Sequence, residues 1–395
     1  MTFIFIRKEL VVLANKPRLT MKLTLCLVSS LLFLGGSLFA QVPGMMTMQP
    51  ASVPQGTDLG ANNTVNAAGI ALGNRVKLRG FVDFIYNYGD INADDINASA
   101  SGKHADFSTT ADLDFLFDFS PVTGEIHLAA STSDISLEQA FIRYSFNRDF
   151  NLSMGRQLTV LSYEGDEPRD LYSTSYGYFS DALMGNGAFA GAKSMLVNTI
   201  DSNGSLNNSS LRRNYVDGIR ANFNNGRFGL SLGLHDGYWV NDHFNDNNIA
   251  LDIAASLMIM PGLEARIGYA HQDTGSGGAD DDIQHFNAWL EYNPGNLTLA
   301  FEYDNFDVLG TDIWDIMLLG NYQFNQLFGL TLKYAHEDLE NASVNLDSDR
   351  ISLALLFTIT DQLGFNLEYS HTEFDVAGAG DGDADEFYAE ALFNF

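Results

Sequence analysis

The chain has 395 residues, 46% of them hydrophobic, yet its mean hydropathy is only −0.05, too polar for a bundle of membrane helices. Fifty acidic residues against 21 basic ones leave a formal charge of −29, which repels nucleic acid and attracts cations. One cysteine, Cys26, stands near the N-terminus, so the rest of the chain has no disulfide framework and no thiol chemistry.

Met21 and Lys22, the apolar run Leu23–Leu34 and the small residue Ala40 form the pattern of a secretory signal peptide. Residues 1–40 are therefore expected to be cleaved off, with Met21 as the alternative start. The cut removes five basic residues and one acidic residue, so the remainder is more acidic still. Residues 41–74, rich in Met, Gln, Pro, Asn and Ala without a period, read as a flexible segment.

From residue 75 to Phe395 one pattern recurs about sixteen times: roughly ten residues alternating apolar with polar, then a connection. In Phe107–Phe119 the odd positions Phe107, Leu113, Phe115, Phe117 and Phe119 are apolar, and the even ones include Asp106, Ser108, Thr110, Asp112 and Asp114. Arg227–His235 and Asn248–Ile259 behave the same way, with Phe228, Leu230, Leu232 and Leu234, then Ile249, Leu251, Ile253 and Leu257, on one side. Strand side chains point alternately to opposite faces, so each segment has a greasy side and a wet side.

A soluble sandwich alternates too, but three features point to a membrane wall. The polar side carries Gly, Ser, Asn and Asp with few long apolar exceptions. Short connections (Ser120–Thr123, Asn147–Asp149, Asn224–Gly226, Met260–Gly262, Asn293–Gly295, Asn325–Gln326, Thr360–Gln362) alternate with longer ones near 87–105, 131–136, 160–212, 236–247, 272–281, 305–311, 337–347 and 375–384. Aromatic residues gather at both strand ends: Tyr86, Tyr269, Tyr303, Trp314, Tyr334 and Tyr369 towards the long loops, Phe119, Phe146, Phe150, Phe228, Phe324 and Phe328 towards the short turns. The expected fold is all-β: a transmembrane antiparallel up-and-down β-barrel over residues 75–395. An open edge in lipid would leave backbone groups unpaired, so the sheet closes. Both termini fall on the short-turn side, which demands an even number of strands. The count is about sixteen, within a range of 14–18; a further strand pair in Ala188–Thr199 would make eighteen.

The final strand Glu386-Phe-Tyr-Ala-Glu-Ala-Leu-Phe-Asn-Phe395, and the run Gln139-Ala-Phe-Ile-Arg-Tyr144 leading to Met154-Gly-Arg-Gln157 and Tyr163-Glu164, resemble the Gram-negative outer-membrane porins, and most nearly the OmpL-like β-barrel porins. The resemblance implies an outer-membrane channel for passive diffusion of small hydrophilic solutes and ions, embedded among lipid and lipopolysaccharide. It implies a homotrimer, and a C-terminal signal (Phe387, Phe393, Phe395) read by barrel-assembly machinery. Residues 41–74 would then lie in the periplasm. A sugar-selective channel and a plugged structural or adhesive surface barrel are the competing readings.

In general porins the third external loop narrows the lumen, and here the third long connection, 160–212, is the longest. It opens with an acidic cluster, Glu164, Asp166, Glu167 and Asp170. By parity Lys77, Arg79, Arg143 and Arg220 point inward. They either face the acidic loop and set a transverse field at a constriction, or each pairs with a wall acid. Inward acids (Asp83, Asp112, Asp114, Asp252, Glu264, Glu291, Glu302, Glu368) leave the lumen negative, so cations are the expected preference. No nucleophile motif, metal-binding HExxH or phosphate loop occurs, and the eight histidines fit no catalytic pattern. Asp381-Gly-Asp383-Ala-Asp385 lacks the glycine a calcium loop needs after the third acid. The expectation is no enzyme activity, no cofactor and no metal.

Overall fold

The computed structural model describes residues 59–64, 67–97, 101–165, 171–180, 211–239, 250–273, 282–340 and 345–395. The signal-peptide pattern, Asp166, Glu167, Asp170 and the 188–199 stretch lie outside the described residues.

Sixteen antiparallel strands form a closed barrel. They are β1 (Val76–Asn92), β2 (Gly102–Phe119), β3 (Val122–Ala130), β4 (Ile135–Ser145), β5 (Phe150–Leu158), β6 (Tyr215–Asn224), β7 (Phe228–His235) and β8 (Ala250–Met260), then β9 (Leu263–Asp273), β10 (Asp282–Tyr292), β11 (Leu297–Val308), β12 (Thr311–Asn325), β13 (Phe328–Glu340), β14 (Asn345–Thr358), β15 (Leu363–Val376) and β16 (Gly380–Asn394). Each strand pairs with the next. β16 returns to β1, with Asp383 opposite Asn92 and Asn394 opposite Phe81. A two-residue strand, Ile70–Ala71, pairs with Leu78 and Lys77 of β1.

The seam is completed by Phe395, which exchanges both backbone hydrogen bonds with Gly80 at 3.0 Å. Gly80 has no room for a side chain: a Cβ there would sit 2.1 Å from the Asp112 carbonyl oxygen and 3.0 Å from the Phe395 ring. With the seam closed, every barrel strand has a hydrogen-bonded neighbour on each side.

Alternation sorts the residues. On β13 Thr331, Lys333 and Glu337 are buried inside while Leu330, Leu332 and Tyr334 face out; on β14 Ser348, Arg350 and Ser352 are inside while Ile351 and Leu353 are exposed. The outer face is thus apolar, and rings cluster along the short-turn rim: Phe146–Phe150, Phe324–Phe328 and Phe328–Phe357, each pair 5.3 Å apart. An apolar wall between aromatic rims is a bilayer-spanning surface. Among the described residues no helix is long and apolar enough to cross a membrane; the crossing is made by strands.

Several connections expected to be long are shorter, because strands run on past the membrane. β1 and β2 are 17 and 18 residues long, and the described part of their connection holds a short helix, α1 (Asp94–Asn97), where a loop over 87–105 is expected. β11 and β12 join through Leu309 and Gly310 alone, both with positive φ, the geometry of a tight hairpin. Above the lipid a strand needs no apolar face, so its polar, Asp- and Asn-rich sequence reads as loop although the ladder continues. By contrast β3 to β7 have only 8 to 11 residues each. The longest connection leaves the barrel within this low wall, between β5 and β6.

The outer face generates a stability prediction. Leu353→Arg puts a charge into the apolar band and should lower unfolding free energy in vesicles by about 2–4 kcal/mol. The lumen-facing change Ser352→Ala should cost far less. Urea titration of both refolded variants makes the comparison.

Candidate constriction inside the barrel

The β5–β6 connection turns inward. Its described parts (159–165, 171–180 and 211–214) lie against the inner faces of β9 to β16. A stretch without regular structure carries backbone N–H groups that must find acceptors when buried, and here the acceptors are wall carboxylates. Tyr163 N donates to Glu302 Oε1 at 2.5 Å. Thr174 N and Ser175 N both donate to Glu368 Oε2, at 2.7 and 3.0 Å. Ser180 N donates to Glu337 Oε2 at 2.9 Å. Hydroxyls add to these: Tyr163 donates to Glu291 at 2.8 Å, Thr174 to Glu390 at 2.8 Å, and Ser180 to Glu337. The acidic wall thus grips the loop through its main chain and its hydroxyl groups alike.

Cations complete the grip. Arg212, at the loop's return, is buried between Asp304, Asp315 and Glu337, with its guanidinium 3.7 Å from the centre of the Tyr178 ring. Lys333 donates to Glu164 Oε1 at 2.9 Å and to the Ser175 carbonyl at 2.6 Å. Arg350 bonds Glu386 and reaches Ser175 Oγ at 3.1 Å. Arg266 donates to the Val160 carbonyl at 3.0 Å beneath Trp289, whose ring meets Tyr163 edge-on at 5.5 Å. Above this layer Leu161, Phe179, Leu211, Trp239 and Phe306 pack as an apolar cluster, and Trp239 Nε1 donates to the Leu211 carbonyl at 2.8 Å.

Lys77, Arg79, Arg143 and Arg220 all lie on inner faces, but none is bonded to Glu164, whose partners are Lys333 and Gly177 N. Arg79 bonds Asp114 at 2.6 Å and Arg220 bonds Asp252 at 3.1 Å. Lys77 donates to the Ala67 carbonyl at 2.8 Å, and Arg143 to Asn62 and Thr64 at 3.1 and 3.2 Å. Asp166, Glu167 and Asp170, the other loop acids singled out by sequence, fall outside the described residues. The eight inward acids are all buried. Phe387 and Phe393 face outward on β16 beside the closing seam.

Lys333, Arg350 and Arg266 are bonded to the loop although sequence reasoning did not single them out. The parity rule that placed Arg143 inward places them inward as well. Arg212 had no such signal, because it sits in a stretch without a period. Asp112, Asp114 and His127 bring ligand-type atoms within 4.8 Å of one another. Both ring nitrogens of His127 are engaged, Nδ1 with Asp114 at 2.7 Å and Nε2 with Glu125 at 2.9 Å, and Arg79 bonds Asp114 as well. The group is an ion network.

No protein-family model and no curated protein matches this sequence. Solved structures do match. OmpF of Salmonella typhi, in complex with daunomycin, aligns over 82% of this chain and 98% of its own, with TM-score 0.58 and 12% identity. The anion-selective porin of Comamonas acidovorans aligns over 81% and 99%, with TM-score 0.56 and 16% identity. The outer-membrane channel DcaP of Acinetobacter baumannii aligns over 83% and 100%, with TM-score 0.55 and 15% identity. The architecture is that of a porin. The porin-like barrel here carries the inward loop between β5 and β6, held by a carboxylate wall.

Removing Arg212 leaves three buried carboxylates without their shared cation, a change that typically costs about 3–5 kcal/mol. In Arg212→Met, backbone hydrogen exchange over 172–180 should therefore rise by roughly a hundredfold or more, while the barrel strands stay protected. Exchange measured by mass spectrometry on the refolded variant checks this.

Proposed function

We propose that this protein is an outer-membrane porin passing small hydrophilic solutes and ions by diffusion, with preference for cations. The observation that carries the preference is the state of the inward charges. Each described inward cation (Lys77, Arg79, Arg143, Arg212, Arg220, Arg266, Lys333, Arg350) is already bonded to a carboxylate, a carbonyl or a polar side chain of the protein. Inward carboxylates outnumber these cations, so the field left over in the lumen is negative and raises the local concentration of cations. Among solved neighbours of this fold is an anion-selective porin, so selectivity comes from side chains and not from the barrel.

A Gram-negative outer membrane, with lipopolysaccharide around the apolar wall, fits both the fold and the signal-peptide pattern. Within this reading the barrel-assembly machinery reads Phe387, Phe393 and Phe395, and copies associate as a homotrimer. The sugar-selective alternative has less support. Phe81, Phe141, Trp289 and Tyr388 are inward but buried, and Tyr163 covers Trp289, so little ring face is open for a sugar to stack on. The plugged-barrel alternative draws on the packed loop, and conductance separates it from a channel.

In a planar bilayer under a KCl gradient, steady conductance steps with a reversal potential favouring K⁺ are expected. Anion preference overturns the cation reading, and no conductance from a folded, heat-modifiable barrel overturns the channel. The change Glu264→Gln should move the reversal potential towards Cl⁻ without loss of the barrel.

A further inference from the structure

The N-terminal stretch just ahead of β1 lies inside the barrel mouth on the short-turn side, and a dedicated set of side chains holds it. Asn224 Nδ2 donates to the Leu59 carbonyl at 2.7 Å, and Asn151 Nδ2 to the Gly60 carbonyl at 2.9 Å. Asn62 donates to Ser145 Oγ at 3.0 Å and accepts from Arg143. Thr64 accepts from Arg143 and donates to Glu125. Ala67 is fastened by Lys77. Residues 59–64 and Ala67 therefore run as a strap along the inner faces of β3 to β7, the low wall, and reach the start of β1.

Two details distinguish this from a tail passing by. Gly60 has φ +75°, and a Cβ there would lie 2.8 Å from the Phe223 carbonyl oxygen, so the strap lies against the wall backbone where only glycine fits. Arg143 and Glu125 come only to 3.9 Å of each other, and the Thr64 hydroxyl bridges them. A positive and a negative wall charge are thus turned towards the strap and away from the water of the mouth. Leu59 and Thr64 are buried, but Asn63 is exposed.

We propose that this strap is a second, selectivity-determining constriction at the periplasmic mouth, distinct from the β5–β6 loop. The loop occupies the β9–β16 side of the lumen and the strap the β3–β7 side, nearer the short turns. A solute must pass one obstacle on each wall. The proposal rests on the channel reading and adds to it that ions pass beside Asn63.

The test is single-channel recording of the mature chain and its variants under a KCl gradient. Asn63→Lys adds a charge at an exposed position that holds no wall residue. It should shift the reversal potential towards Cl⁻, with Asn63→Asp shifting it towards K⁺. A mature chain starting at Gly69, shown to fold by heat modifiability, should have higher conductance and pass larger neutral polymers such as polyethylene glycols of graded size. Unchanged reversal potentials in both Asn63 variants overturn the strap as part of the ion path and leave the channel standing. The same holds for unchanged conductance in a folded truncated barrel. No conductance from the wild-type chain overturns the channel reading, and the strap proposal falls with it. Because the Asn63 variants disturb no bond to the wall, the test stands even if the truncated chain does not fold.

Discussion

Everything in this molecule follows from the absence of water in a bilayer. A peptide N–H or C=O without a partner costs several kcal/mol in hydrocarbon, so a sheet that crosses must close on itself. The seam between β16 and β1, finished by Phe395 on Gly80, is where that requirement is met. The alternation of side chains then turns one geometric period into two environments, an apolar outside and a wet inside. The polar half of the sequence, which no soluble core would accommodate, becomes the lining.

The same requirement returns inside the lumen. The β5–β6 loop brings backbone donors into a space partly closed to water, and it has no strand partner to give them. Glu302, Glu337 and Glu368 supply the acceptors. The acidic composition therefore has a structural use in this barrel: wall carboxylates hold the loop. The inward cations are consumed in the same arrangement. Arg212 neutralises the patch of Asp304, Asp315 and Glu337, and Lys333 ties Glu164 to the wall. The strap at the other end is held by asparagine side chains on main-chain carbonyls, together with the charged Lys77, Arg143 and Glu125.

The barrel was legible because its rule is local. Phe107–Phe119 shows its two faces within a dozen residues, and the two termini on one side force an even strand number. The outer ends of the hairpins were less legible. Strands β1 and β2 continue past the lipid, where the apolar half of the alternation is no longer required, so the stretch around Asp90 and Lys103 looks like loop. The inside of the lumen was least legible. Parity says that Arg143 and Lys333 point inward, but not that one reaches the strap and the other reaches Glu164, 169 positions away. Such pairings depend on where a loop without a period comes to rest, and Arg212 is the extreme case, a residue whose position in sequence carries no trace of its three carboxylate partners.

Part of the grip on the loop is made through its main chain. Glu368 bonds the amides of residues 174 and 175, Glu337 that of residue 180 and Glu302 that of residue 163, and an amide is the same whatever side chain it carries. That part of the mount is indifferent to the side chains it holds. Loop positions whose side chains make no bond to the wall can therefore be substituted while those amide bonds stay in place.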